Sequence, residues 1–190
     1  MKALYKGLHL LLFVSVIALS ACADMERPGL SQASEDDLRT RARASLETLY
    51  ANSLDAKALR KRSVAILVFP DIFKAGLIVG GSGGNGVLFS PGGQVLGYYN
   101  AAAVSFGLQA GVQEFAEAMF LVTPSALSYL DSSAGWSIGV GPSVVVVDEG
   151  MAQDFTSTTL RSDVYAFIYG QQGLMAGLGV QGQKITRLRN

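Results

Sequence analysis

Acid–base and nucleophilic chemistry is most often carried by histidine and cysteine, and this chain of 190 residues holds one of each, His9 and Cys22. Both lie within the first 22 residues. Beyond them no Ser-His-Asp triad can be assembled and no His/Cys set can hold a metal. A carboxylate pair could still move protons, and Asp148-Glu149 is the adjacent pair, with Asp154 and Asp163 the next acids along. Acids beside a glycine at a strand end are the usual make-up of a solvated turn, so no catalytic residue, no metal ligand and no cofactor is expected.

Gly81-Ser82-Gly83-Gly84-Asn85-Gly86 matches the G-x-G-x-x-G spacing that brings a pyrophosphate against a helix N-terminus. That use needs a helix directly after the loop and an acid about 20 residues on for the ribose. The next residues, Val87-Leu88-Phe89-Ser90-Pro91, are instead a strand-and-turn sequence, and no acid lies near position 106. The glycines are expected to serve a loop, through positive φ and close backbone approach, and no nucleotide partner is expected.

The remaining chemistry belongs to cations. Arg60-Lys61-Arg62 is a basic run at the junction between a helical and a strand-like stretch; Lys74 comes later, and Lys184, Arg187 and Arg189 lie near the end. Such side chains can meet phosphate oxygens through charge-assisted hydrogen bonds. Phe69, Phe73, Tyr98 and Tyr99 are aromatic residues of core or interfacial type. Lysine plus arginine equals aspartate plus glutamate, 15 of each, and two of the cations, Lys2 and Lys6, belong to an N-terminal leader. The remainder is roughly two units negative, without the long-range field that draws a protein to nucleic acid.

In that leader Lys2 and Lys6 precede an apolar run from Leu8 to Leu19, about 12 residues long and too short to span a bilayer, but of signal-peptide length. Leu19-Ser20-Ala21-Cys22 closes it and resembles the lipobox of bacterial lipoproteins. The resemblance implies cleavage before Cys22, a diacylglyceryl group on its sulfur and an acyl chain on its nitrogen, enough hydrocarbon for stable anchoring. Ala23 stands where an aspartate would resemble an inner-membrane retention signal. The outer membrane's periplasmic face is therefore the expected site, although Asp24 comes one place later.

After the leader about 168 residues remain, enough for one domain. Apolar residues make up 49% and charged residues 16%, which favours a buried core over disorder. Residues 22–33 read as a lipidated tether and 34–190 as the folded body. Ser34 with acids at 35–37 predicts a helix start, and Leu38, Ala42, Leu46 and Leu49 give it one apolar stripe to about Tyr50. A shorter helical piece is predicted over 55–59. Ser125 to Leu130 forms another behind a Thr123-Pro124 cap. Val64 to Phe69 predicts a buried strand stopped by Pro70. Further short strands are predicted over 76–79, 86–90, 95–99, 103–109, 115–122, 137–147, 164–169, 173–181 and 184–188, with a hairpin turn at Gly92-Gly93. With 22 glycines among them, these predict an α+β fold: an antiparallel, strongly curved or barrel-like sheet with an N-terminal amphipathic helix.

Ser63-Val64-Ala65-Ile66-Leu67-Val68-Phe69-Pro70 together with Lys74-Ala75-Gly76 resembles the opening of a SYLF domain. So do Gly86-Val87-Leu88, Ser105-Phe106-Gly107-Leu108-Gln109-Ala110-Gly111, Gly139-Val140-Gly141-Pro142 and Asp163-Val164-Tyr165-Ala166-Phe167, in order over about 36–190. The resemblance implies a lipid-binding module. Eukaryotic members are associated with phosphoinositides and actin; in a bacterial envelope, the part that carries over is binding to anionic phospholipid. The lipid-binding N-terminal extension of the eukaryotic members is not recognisable here, and a lipobox and tether take its place. The expectation is a membrane-anchored lipoprotein whose body binds phospholipid head groups, with Arg60, Lys61, Arg62 and Lys74 as contacts. The alternatives are an envelope lipoprotein that binds other envelope proteins and, last, an enzyme.

Overall fold

The computed structural model describes residues 30–132, 135–138, 140–148 and 162–188. Helix α1, Gln32–Asn52, starts earlier than its acids suggest: Ser31 is the cap, its Oγ accepting the Ser34 N–H at 3.3 Å. Ser34 therefore lies inside the helix, and the folded body takes in the last residues assigned to the tether. Leu30 packs against the core, which draws the helix start toward the earlier serine. The predicted stripe is buried, with Leu38, Ala42, Leu46 and Leu49 joined by Tyr50. Ser53 closes α1 with its N–H on Leu49 O and opens α2, Leu54–Arg60, with its Oγ on the Ala56 N–H.

The many short strands are three very long ones. β1 is Ala65–Phe89, β2 is Val95–Leu121 and β5 is Val164–Arg187, of 25, 27 and 24 residues. β1 and β2 form one antiparallel hairpin from Ala65↔Leu121 to Phe89↔Val95, turning at the predicted Gly92-Gly93 with Gly93 at φ +85°. β5 pairs antiparallel with β2 throughout. The predicted 137–147 strand is instead two pieces, β3 (Trp136–Ser137) antiparallel to β5 and β4 (Val144–Asp148) parallel to it. Helix α3, Pro124–Leu130, has the expected Thr123 cap, with Pro124 in its first turn. Pro70 does not stop β1. It sits at a register shift on a strand with a partner on one side only, where a missing N–H costs least. The result is α+β, a strongly curled, mostly antiparallel half-barrel; among the described residues no pairing joins β1 to β3 or β4, so the curl is open.

The curl buries both faces of the sheet. Ile66, Val68, Phe120 and Phe167 face α1, together with Val87, Phe89 and Tyr98 from the far half of the hairpin. Ala65, Leu67, Phe69, Met119 and Leu121 face inward, against Leu88, Tyr99, Trp136, Leu130 and Ile185. A strand covered on both sides reads as the unbroken apolar run 64–69, not as an alternation.

The G-x-G-x-x-G stretch is strand, not loop, and it is where the second half of β1 crosses the first. A Cβ on Gly84 would stand 2.4 Å from Asp71 O; one on Gly86 would stand 2.5 Å from the Phe69 ring and 2.8 Å from Val68 O. Close approach is the requirement here; none of these glycines has positive φ. Gly86→Ala should cost about 2–3 kcal/mol, a drop in Tm of several degrees, from forced overpacking. Gly182→Ala, where a Cβ meets nothing within 4 Å, should be near neutral. Thermal melts of the two variants check this, and equal stabilities would contradict it.

One carboxyl sits between the halves. Glu117 on β2 is 6% exposed, and its Oε2 accepts the Gln183 Nε2–H at 3.0 Å. Burial raises its pKa above the ordinary value of 4.5, outweighing the Gln183 bond, which lowers it. The folded state thus keeps this proton after the unfolded chain has released it, so stability falls as pH rises from about 4.5 through the raised value. Glu117→Gln should remove that slope and raise Tm at pH 8 by about 2–4 °C, the shift roughly 1 kcal/mol gives in a domain of this size. A lower Tm at pH 8 with the slope intact would contradict the assignment.

Candidate functional site

The site is a cleft of about 350 Å³ between α1, the end of α2 and the turn that closes the β1–β2 hairpin. Arg43 projects from α1 and donates from Nη2 to Gly93 O at 3.0 Å; Arg60 projects from the last turn of α2 and donates from Nε to Pro91 O at 3.3 Å. Each guanidinium also lies over an aromatic ring, Arg43 5.8 Å from the Phe89 centroid and Arg60 5.7 Å from that of Tyr50. Both cations are thereby held in place from two directions. A guanidinium has five N–H donors, and these bonds use one on each. Among the described residues the ion pairs involve Arg39, Arg41 and Arg187, and neither Arg43 nor Arg60 meets a carboxylate. Glu47 is the one acid among the described residues of the cleft wall, so two positive charges face one negative.

Tyr50 forms the floor between them. Its hydroxyl is buried and has no hydrogen-bond partner among the described residues. Burial pushes its pKa up to about 12, with Arg60 subtracting and Glu47 adding, so it is a neutral O–H at physiological pH. The chemistry on offer is recognition of an oxyanion by two pre-oriented guanidinium groups next to apolar Leu46, Ile66 and Phe89. Among the described residues no histidine or cysteine lines the cleft.

Of the residues singled out from sequence, Arg60 is in this cleft, and Lys61 and Arg62 are exposed in the turn directly after it. Lys74 is not brought to them. It lies on β1 eight residues beyond Ile66, a path of about 26 Å along the strand, beside Gln113 of β2. Arg43 and Tyr50 carry no sequence signal as site residues; Arg43 meets Gly93 across 50 positions. Phe69, Tyr98 and Tyr99 are core, and Phe73 is exposed. Arg187 is structural, pairing with Asp131 at 2.9 Å over the Tyr99 ring, whose hydroxyl donates to the same carboxylate at 2.6 Å. Lys184 is exposed on β5.

Asp163 is a fastener. It accepts from the Ser143 N–H and hydroxyl and from Thr123, joining the starts of β4, β5 and α3, and these bonds lower its pKa. Asp148 ends β4. Cys22, Glu149, Asp154 and Arg189 lie outside the described residues, as does the leader. Among the described residues no group of His, Cys, Asp and Glu is arranged to hold a metal, and no helix is long and apolar enough to cross a membrane.

No protein-family model matches the chain, and no characterised protein is significantly similar to it. The SYLF resemblance rests on its motif residues alone.

The orphaned hydroxyl makes a direct test of the site's geometry. Tyr50→Phe removes a buried donor that has no acceptor and should stabilise the protein by about 1 kcal/mol, or roughly 2–4 °C in Tm. A loss of stability would show that the hydroxyl is already bonded within the folded protein.

Proposed function

We propose that this is a non-catalytic envelope lipoprotein, held at the membrane through Cys22, whose SYLF-like body binds the anionic head groups of phospholipids. The observation that carries the reading is the pair Arg43 and Arg60. Two guanidinium groups, each over an aromatic ring and bonded to a backbone carbonyl, converge on one cleft and lack carboxylate partners among the described residues. A phosphodiester offers oxygens to accept from them. Lys61 and Arg62 extend the same positive edge into solvent. Lys74 is left out of this site by its position on the strand.

The anchor and the cleft divide the work. Acylation confines the body to the membrane surface, where the effective concentration of head groups is high, so a weak cleft suffices. The rival with a specific claim is an envelope protein that uses the same surface to bind another protein.

A chain beginning at Ala23, which retains the whole described body but no lipid, separates the two. It should float with vesicles of phosphatidylglycerol and not with phosphatidylcholine alone, and flotation should fall as salt screens the charges. Arg43→Ala combined with Arg60→Ala should lower the apparent affinity about tenfold or more, as loss of two charge-assisted contacts implies. Absence of flotation with either lipid, in a folded chain, favours the protein-binding reading.

A further inference from the structure

The middle of the long hairpin carries a second feature. From Ala75 to Gln113 there is no charged residue, and from Val164 to Gln183 there is none. The structure turns the centre of these segments into one corner where the sheet bends back on itself. Gly76 and Gly80 approach so closely that a Cβ on Gly76 would lie 2.7 Å from Gly80 Cα, and the β1–β2 register shifts between Leu77 and Val79.

The corner is apolar and, among the described residues, uncovered. Leu77 is 74% exposed, Ile78 63%, Phe106 62% and Leu174 89%, with Val79 and Val112 about half exposed. The strand pairing makes them neighbours: Val79 faces Phe106, and Val112 faces Leu174. Ile78 is also at φ +69°, the one non-glycine residue with positive φ among those described. A β-branched residue is the costliest type to hold there, and glycine or asparagine would relieve the strain. Stability therefore does not explain an exposed isoleucine at this point.

The direction of α1 indicates what the corner meets. Tyr50, near the end of α1, packs on Phe120, opposite Ile66; Ser45 bonds Tyr169, opposite Ala116; and Arg41 pairs with Asp71. Passing toward the start of α1 is thus passing along β1 toward the bend. On the returning half of the hairpin Arg43 lies over Phe89, and Glu35 and Arg39 act on Tyr98, the partner of Val87, which gives the same direction. The described chain thus begins, at Leu30, at the end of α1 that is nearer the bend. Seven residues separate Cys22 from Leu30, and the eight Cα–Cα steps give a reach of at most about 28 Å.

We infer that the corner formed by Leu77, Ile78, Val79, Phe106, Val112 and Leu174 inserts into the acyl layer of the bilayer to which the chain is tethered. The inference rests on the membrane tether of the proposed function, but not on its head-group cleft. Insertion uses apolar surface without charge, so it is indifferent to head-group charge and to salt.

The test holds the body at a bilayer without acylation or anionic lipid. The chain from Ala23, which has no cysteine, is given an N-terminal hexahistidine and bound to phosphatidylcholine vesicles containing a nickel-chelating lipid. An environment-sensitive NBD label is placed at Leu77→Cys or, as control, at Leu54→Cys, which is exposed at the start of α2. The Leu77 label should brighten severalfold and shift to the blue on anchoring, in low and high salt alike, while the Leu54 label stays water-like. Ile78→Asn should keep or raise Tm and reduce the brightening. A Leu77 label that stays water-like on anchored protein overturns the inference and leaves the cleft untouched. A label already bright before vesicles are added, with a dimer in size-exclusion chromatography, shows a second copy covering the corner and overturns it too. Salt-sensitive flotation of the untagged chain reports on the cleft independently.

Discussion

The structure depends on one backbone crossing. β1 passes over itself near Gly84 and Gly86, with no room for a side chain between that segment and Val68–Asp71. Everything else is arranged by that contact. It closes the curl over Phe69, Met119, Tyr99 and Trp136. It also returns Phe89 and the 90–93 turn to the side of Ile66, so that one helix, α1, can pack on both halves of the sheet. The Arg43–Arg60 cleft is a product of that return: its two cations reach from the helices to a turn that would lie far away on a flat sheet.

The same bend has a cost at its other end. Three strands of this length cannot be covered throughout by one helix of 21 residues on one face and by α3 with Trp136 on the other. The covered parts are the two ends of the ribbon, where apolar residues fill both faces. The middle is left out, uncharged and carrying exposed aliphatic side chains and Phe106. The described body thus carries a basic cleft beside the 90–93 turn and an apolar corner at the bend, the two features on which the proposed membrane role rests. Among the described residues the buried carboxyl of Glu117 is engaged by Gln183, and Asp163 and Asp131 fasten strands.

Local signals in the sequence are legible and long-range ones are not. The α1 stripe at Leu38, Ala42, Leu46 and Leu49, the Thr123-Pro124 cap and the Gly92-Gly93 turn depend on neighbours within a few positions, and each is in place. Strand number is hidden because glycine, which usually punctuates strands, here lies within them wherever two backbones meet; Gly76, Gly84, Gly86 and Gly111 are all inside strands. The Ser34 cap loses to Ser31 because Leu30 has core to bury, a tertiary effect. Of the cleft, Arg60-Lys61-Arg62 is visible as a run of charge. Arg43 looks like any solvent-facing helix residue, and Tyr50 like the end of a stripe, because the turn that makes them a site comes from 40 to 50 residues away. Lys74 shares their charge but not their place.

In the proposed function a lipid on Cys22 holds the body, and with it the cleft and the corner, at a membrane. The decisive measurement is mass spectrometry of the protein recovered from bacterial envelopes. An N-terminal peptide that begins at Cys22 and carries a diacylglyceryl group on its sulfur is the expected result. A free Cys22 thiol, or an N-terminus that still includes the leader, would contradict it.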